Sequence, residues 1–96
     1  MEEDLKFEWD KNKARLNLKK HNVTFTEAST VFYDPLARIG KDIEHSHHEY
    51  RDIIIGRSAK SRLLIVSYTE RKGIVRIINA REATKKERLD YEENGV

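Results

Sequence analysis

The sequence predicts an α+β domain, and three observations carry that prediction. Apolar runs crowd the second half of the chain at Ile53-Ile54-Ile55, Leu63-Leu64-Ile65-Val66 and Ile74-Val75 with Ile77-Ile78, each bounded by charged or turn residues as strands are. Two helix-start signatures of the Thr-x-x-Glu type, Thr24 to Glu27 and Thr84 to Glu87, lie on either side of those runs. The connections Ala59-Lys60-Ser61 and Arg71-Lys72-Gly73 are short enough to make antiparallel hairpins.

Taken in order, Phe7-Glu8-Trp9 alternates as a short strand would, and Asp10 offers a side-chain acceptor to the free amides of a helix over 11–21. That helix is basic almost all round, so Ala14, Leu16 and Leu18 are its expected packing seam. The second helix follows Thr24, with Phe25, Ala28 and Phe32 on one face, and stops at Asp34-Pro35 because proline disfavours helical geometry in the residue before it. A strand is expected to begin within 36–39, followed by a polar, histidine-rich stretch from Gly40 to Glu49. The three apolar runs then form an antiparallel meander of three to four main strands, and a last helix runs from Thr84 to about Tyr91. Both parities of the runs are apolar, so both sheet faces need some cover, while the two N-terminal helices can fully cover only one.

Ninety-six residues with 38% hydrophobic and 38% charged content point to a single domain spanning 1–96, with one core and a shallow site. The absence of cysteine excludes a disulfide framework, thiol catalysis and thiolate zinc sites. An acidic start and the lack of any long apolar run argue against a signal peptide or membrane helix and for a cytoplasmic protein. Charge is unevenly spread. Residues 11–21 hold five bases and no acid, and residues 51–81 hold eight bases, six of them arginine, against Asp52 and Glu70. Such an excess suits an anionic partner such as nucleic acid, although a solvated sheet edge kept soluble by charge would look the same.

Strict alternation along 74–81 places Arg76 with Ile74, Ile78 and Ala80, and Arg81 on the opposite face with Val75, Ile77 and Asn79. Arg76 either pairs with a carboxylate or faces a functional surface. Arg62 shares the parity of Leu64, Val66 and Tyr68, and Arg51 shares that of Arg57. Guanidinium groups that converge can hold phosphate oxygens in planar donor forks, although spacing alone leaves convergence open. His45, His47 and His48, among Asp42, Glu44 and Glu49, match no zinc or facial-triad spacing, so no metal site is assigned. His45 could instead transfer a proton, with Glu49 orienting it or acting as base. His21 reads as the last residue of its helix, favoured there by the dipole. Trp9 reads either as a base-stacking platform or as a core anchor.

Together these segments resemble the BrnT-like toxins of bacterial type II toxin–antitoxin systems. The resemblance is carried by Phe7-Glu8-Trp9-Asp10, Lys13, Asn17, Lys20-His21, Phe25, Glu27-Ala28 and Phe32-x-Asp34-Pro35. It continues through His45-Ser46-x-x-Glu49-x-Arg51, Gly56-x-Ser58, Arg62-Leu63-Leu64, Thr69-Glu70, Arg76-Ile77-Ile78-Asn79-Ala80-Arg81, Ala83-Thr84 and Tyr91-Glu92. It covers about 7–92 and departs from the family pattern at Asn79, usually serine, and Asn22, commonly glycine. The resemblance implies a compact RelE-like fold, RNA cleavage that arrests translation, and an antitoxin partner of the ribbon-helix-helix type through which the complex reaches operator DNA.

On that basis Arg62, Arg76 and Arg81 are the expected phosphate ligands, with Arg51 a further candidate and His45 and Glu49 the acid/base pair. Lys13, Lys20 and Trp9 are expected to hold the RNA, and no cofactor is called for. The rival expectation is a non-enzymatic module that binds a protein partner. A DNA-binding repressor in its own right ranks behind it, because no helix-turn-helix spacing is present.

Overall fold

The computed structural model describes residues 5–42 and 51–94. Strand β1, Lys6–Glu8, leads into helix α1, Lys11–His21, at Asp10, whose carboxylate accepts from the Lys13 amide at 2.9 Å. Helix α1 ends at Asn22 in the left-handed region with φ 57°, where asparagine is the best-tolerated side chain after glycine. Helix α2, Phe25–Thr30, starts on Thr24 and tightens into a 3-10 turn, Val31–Tyr33, before Pro35. Helix α3, Lys85–Asn94, has the reciprocal capping box its sequence promised: Glu87 N donates to Thr84 Oγ1 at 3.1 Å, and Thr84 N to Glu87 Oε1 at 2.8 Å.

Strands β2 (Arg38–Lys41), β3 (Asp52–Arg57), β4 (Leu63–Arg71) and β5 (Ile74–Glu82) form the expected antiparallel meander. The sheet nevertheless has five strands and is mixed, in the order β1-β5-β4-β3-β2, with β1 parallel to β5. The expected wholly antiparallel sheet of three to four strands is corrected accordingly. The reason is topological: α1 and α2 carry the chain across the sheet to the far edge, which leaves β1 beside β5 and running the same way.

One sheet face is closed. Val23, Phe25, Ala28 and Val31 pack on Ile54, Leu64, Val66, Tyr68, Val75, Ile77 and Ala80, all buried. Trp9 extends this core edge-to-face on Phe25 at 5.9 Å, and Phe32 stands between Phe7 and Tyr68 at 5.3 and 4.9 Å. Burial, helped by the charges of Asp52 and Glu70, pushes the Tyr68 phenol up to about 12. Gly56 is required where the Asp34 loop crosses β3. A Cβ there would lie 2.9 Å from Ala37 Cβ and 3.0 Å from Asp34 Oδ2, the same oxygen that accepts from Arg57 N at 2.7 Å.

The α1 seam differs from the expectation. Leu16 and Leu18 are exposed, and the buried α1 residue is Asn17. Strand β1 covers only Ile74–Arg76 of the β5 edge, and Asn17 serves the edge further along. Its Nδ2 donates to Ala80 O at 2.8 Å and Val23 O at 3.0 Å, while its Oδ1 accepts from Ala80 N at 3.0 Å. A side-chain amide thus replaces a strand residue, satisfying backbone groups that would otherwise be buried without partners.

The other sheet face is partly open. Strand β5 carries one extra residue where pairing passes from Ser67↔Asn79 to Tyr68↔Ile77, so Ile78 is bulged and parity inverts beyond it. Arg76 and Arg81 therefore share the open face, while Ala80 joins Val75 and Ile77 on the closed one. This corrects the strict alternation expected for the strand. Helix α3 is bonded to both ends of the open-face cross-strand row Arg38, Ile55, Ile65 and Arg81, to Arg81 through Glu87 and to Arg38 through Tyr91. It is tied down by Arg38 Nη2 donating to Tyr91 O at 2.9 Å, Tyr91 Oη donating to Leu36 O at 3.0 Å, and the Arg57–Glu92 ion pair. At the β4–β5 hairpin the two turn residues, Lys72 (φ 53°) and Gly73 (φ 81°), are both left-handed. For lysine this geometry costs roughly 1 kcal/mol. Among the described residues no helix is long and apolar enough to cross a membrane.

Candidate nucleic-acid interface

On α1 the positions 13, 16, 17, 20 and 21 follow helical spacing and form one stripe along the β5 edge. Asn17 anchors the stripe, and Lys13, Lys20 and His21 rise beside it as one wall of a groove. The floor consists of Ile53, Ile65, Ser67, Ile78 and Asn79 on the open face, and Arg81, Glu87 and Asp42 complete the lining. The groove has a volume of about 620 Å³ and is broadly open to solvent. Half-buried isoleucines beside the basic α1 wall put apolar surface next to positive charge, an arrangement that can take bases and phosphates.

Arg81 is held in a two-point fork, donating from Nη1 to Glu87 Oε1 at 2.7 Å and from Nη2 to Glu87 Oε2 at 2.9 Å. Chiefly through the Arg81 hydrogen bonds, the Glu87 carboxyl is lowered to about 2, and Arg81 is raised in turn. The Arg81 side chain is 38% exposed, so it is both oriented and reachable.

Arg62 has a different setting. Its Nε and Nη2 grip the buried Glu27 carboxylate, with Nε to Oε2 at 2.9 Å, and Ser58 Oγ donates to the same Oε2 at 2.7 Å. Nη1 reaches Glu82 Oε1 at 3.2 Å, and Nη2 also donates to Asn22 O at 3.0 Å. Every guanidinium nitrogen of Arg62 thus donates inside the fold, and the pairing holds Glu27 below the usual carboxylate range. This explains why the Thr24 cap is one-sided: Thr24 accepts from Glu27 N at 3.0 Å, while the Glu27 carboxylate turns to Arg62.

The predicted residues are therefore only partly brought together. Lys13, Lys20 and Arg81 meet at the groove. Arg62 lies on the closed side of the sheet. Arg76 sits further along β5 with Glu8 at 3.0 Å, so the three arginines do not converge on one point. Trp9 is part of the core. Arg51 immediately precedes β3, its carbonyl accepting from Asp42 N at 3.0 Å, and His45 and Glu49 lie outside the described residues. Sequence reasoning passed over His21, Ser67 and Asn79. The signal for His21 was the stripe it shares with Asn17, four residues earlier, rather than its place at a helix end.

The family model described as ribonuclease toxin, BrnT, of type II toxin–antitoxin system matches residues 9–87. No curated protein matches the chain. Among solved structures, the crystal structure of the Brucella abortus ribonuclease toxin BrnT is similar, with a TM-score of 0.65 at 19% identity over 85% of this chain and 100% of that one.

Proposed function

The chain belongs to the BrnT family of ribonuclease toxins of type II toxin–antitoxin systems, and on that premise we propose that it cleaves RNA in the groove between α1, β5 and α3. The observation that carries this reading is the meeting of Lys13, Lys20 and His21 of α1 with Arg81 of β5 on one open groove. In this reading a ribose 2′-hydroxyl attacks the adjacent phosphorus and expels the 5′-oxygen, leaving a 2′,3′-cyclic phosphate. Arg81, oriented by Glu87, stabilises the charge that develops on the non-bridging oxygens. Lys13 and Lys20 hold flanking phosphates, and His21 moves a proton at the attacking or leaving oxygen. His45 and Glu49 remain proposed partners in that proton transfer, and Arg51 a further phosphate contact. Arg62 supports the reaction by holding the fold. Charge stabilisation comes from side chains throughout, so the scheme asks for no divalent ion.

Cleavage of this kind would arrest translation, and a cognate antitoxin of the ribbon-helix-helix type would neutralise it and bring the complex to operator DNA. The test is incubation of antitoxin-free protein with a defined RNA in excess EDTA, comparing wild type with Arg81→Ala and His21→Ala. We expect cyclic phosphate ends and a loss of about 100-fold or more in rate for Arg81→Ala. RNA left intact by the wild type both on and off ribosomes would overturn the reading. A second reading, a non-catalytic partner-binding module, draws on Leu36 and Ile39, which are 68% and 65% exposed beside and on the β2 edge strand. It requires that Arg81→Ala leave growth arrest intact while polar substitutions at Leu36 and Ile39 abolish complex formation.

A further inference from the structure

A second hollow, of about 520 Å³, lies on the same open face at the β4–β5 hairpin, lined by Glu8, Thr69, Arg71, Lys72, Ile74 and Arg76. Pairing in the register Thr69↔Arg76 and Arg71↔Ile74 puts both arginines on this face, and Lys72 occupies the turn that joins the strands. Three cations therefore surround the hollow against the single carboxylate of Glu8. Two features distinguish this cluster from an ordinary solvated edge. Lys72 holds a left-handed conformation at φ 53°, where asparagine or glycine would suit the turn better, so turn geometry alone does not account for a cation at the hairpin tip. The Arg76–Glu8 pair is half-exposed at both ends, 49% each, so a phosphate can exchange for the carboxylate at little cost.

We infer that this hairpin hollow is a distal phosphate-binding subsite for the RNA strand that occupies the groove; the inference rests on the proposed ribonuclease reading. Arg76 and Arg81 stand on one face of β5 opposite Thr69 and Ile65, four residues apart on β4, so they are roughly 13 Å apart along the sheet. An RNA backbone held at Arg81, Lys13 and Lys20 reaches Arg71, Lys72 and Arg76 only if it continues for several nucleotides. The subsite therefore sets a minimum length for tight binding and leaves base identity unread.

The experiment measures binding of a trinucleotide and a dodecanucleotide of 2′-O-methyl RNA, which cannot undergo 2′-hydroxyl attack, to wild type and to the double variant Arg71→Thr, Lys72→Asn. Threonine suits a strand and asparagine suits the turn, so the variant retains the hairpin. In wild type the longer RNA binds at least about tenfold tighter; the variant loses most of that gain, and its salt dependence (the slope of log K against log salt) falls by about 1.4, two phosphate contacts on a single strand. An identical length gain and salt slope in the two proteins overturns the subsite. So does a variant that binds RNA like wild type but no longer captures the antitoxin, which would assign the patch to a protein. Because the probe is uncleavable, the two readings separate. Hairpin-dependent binding without cleavage of ordinary RNA keeps the subsite and sinks the ribonuclease, and cleavage without hairpin dependence does the reverse.

Discussion

Arg62 and Arg81 each grip a glutamate with two nitrogens, yet they stand on opposite faces of one sheet and have opposite consequences. On the closed face, Glu27 is buried and Arg62 mostly so, and the pair also holds Ser58, Asn22 and Glu82. On the open face, Arg81 and Glu87 are each more than a third or about a third exposed and border a groove. The same pair of residue types thus serves as a structural tie where water is excluded and as a displayed, oriented cation where it is not. An arginine in this sheet is informative about function only once its face is known.

The largest effect should come from breaking the closed-face pair. Glu27→Ala leaves Arg62 and Ser58 without their shared acceptor and should cost about 3 kcal/mol in urea unfolding. Arg62→Ala should cost about as much, so its loss of activity would be a loss of fold; full stability in either variant would erase the contrast. Next in size is the edge cap. Asn17→Ala strands the Ala80 N–H and carbonyl and the Val23 carbonyl and should cost about 2 kcal/mol, with faster hydrogen exchange at Ala80. The smallest effect concerns the open-face pair and pH. Because the folded Glu87 carboxyl is depressed to about 2 from 4.5, its contribution is fully present above pH 4.5 and is lost as pH falls towards 2. Discounted for exposure, that contribution is about 1 kcal/mol, measured as the difference in acid unfolding between wild type and Glu87→Gln. A larger difference would mean that the open-face pair is a structural tie as well.

Local features of the fold were legible because local chemistry sets them. Asp10, Thr24 and Thr84 each accept from the amide three residues on, as their sequence contexts promised. The three apolar runs became β3, β4 and β5 for the same reason. What could not be read was long-range. The bulge at Ile78 depends on how β5 registers against β4, and that single extra residue moved Arg81 to the face of Arg76. The parallel pairing of β1 joins residues 68 apart, Glu8 and Arg76, and a three-residue strand carries no signal for its partner. Charge singled out Lys13 and Lys20 and strand context Arg81, and the structure places the three on one groove lining. The place of His21 on that lining was not legible because its stripe is organised by a buried asparagine instead of an apolar residue. The partner of Arg62 was not legible, since a guanidinium at a strand start gives no hint that Glu27, 35 residues away, will pair with it.

Asn17 must wait for Ala80, 63 residues downstream, before its amide has a strand edge to serve. A ribosome emits the chain from its N-terminus, so α1 can form early while the wall it builds faces nothing until β5 and Glu87 have been added. The groove is therefore incomplete until β5 and Glu87 have been added, and in the proposed reading a copy truncated before β5 lacks the lining that carries Arg81.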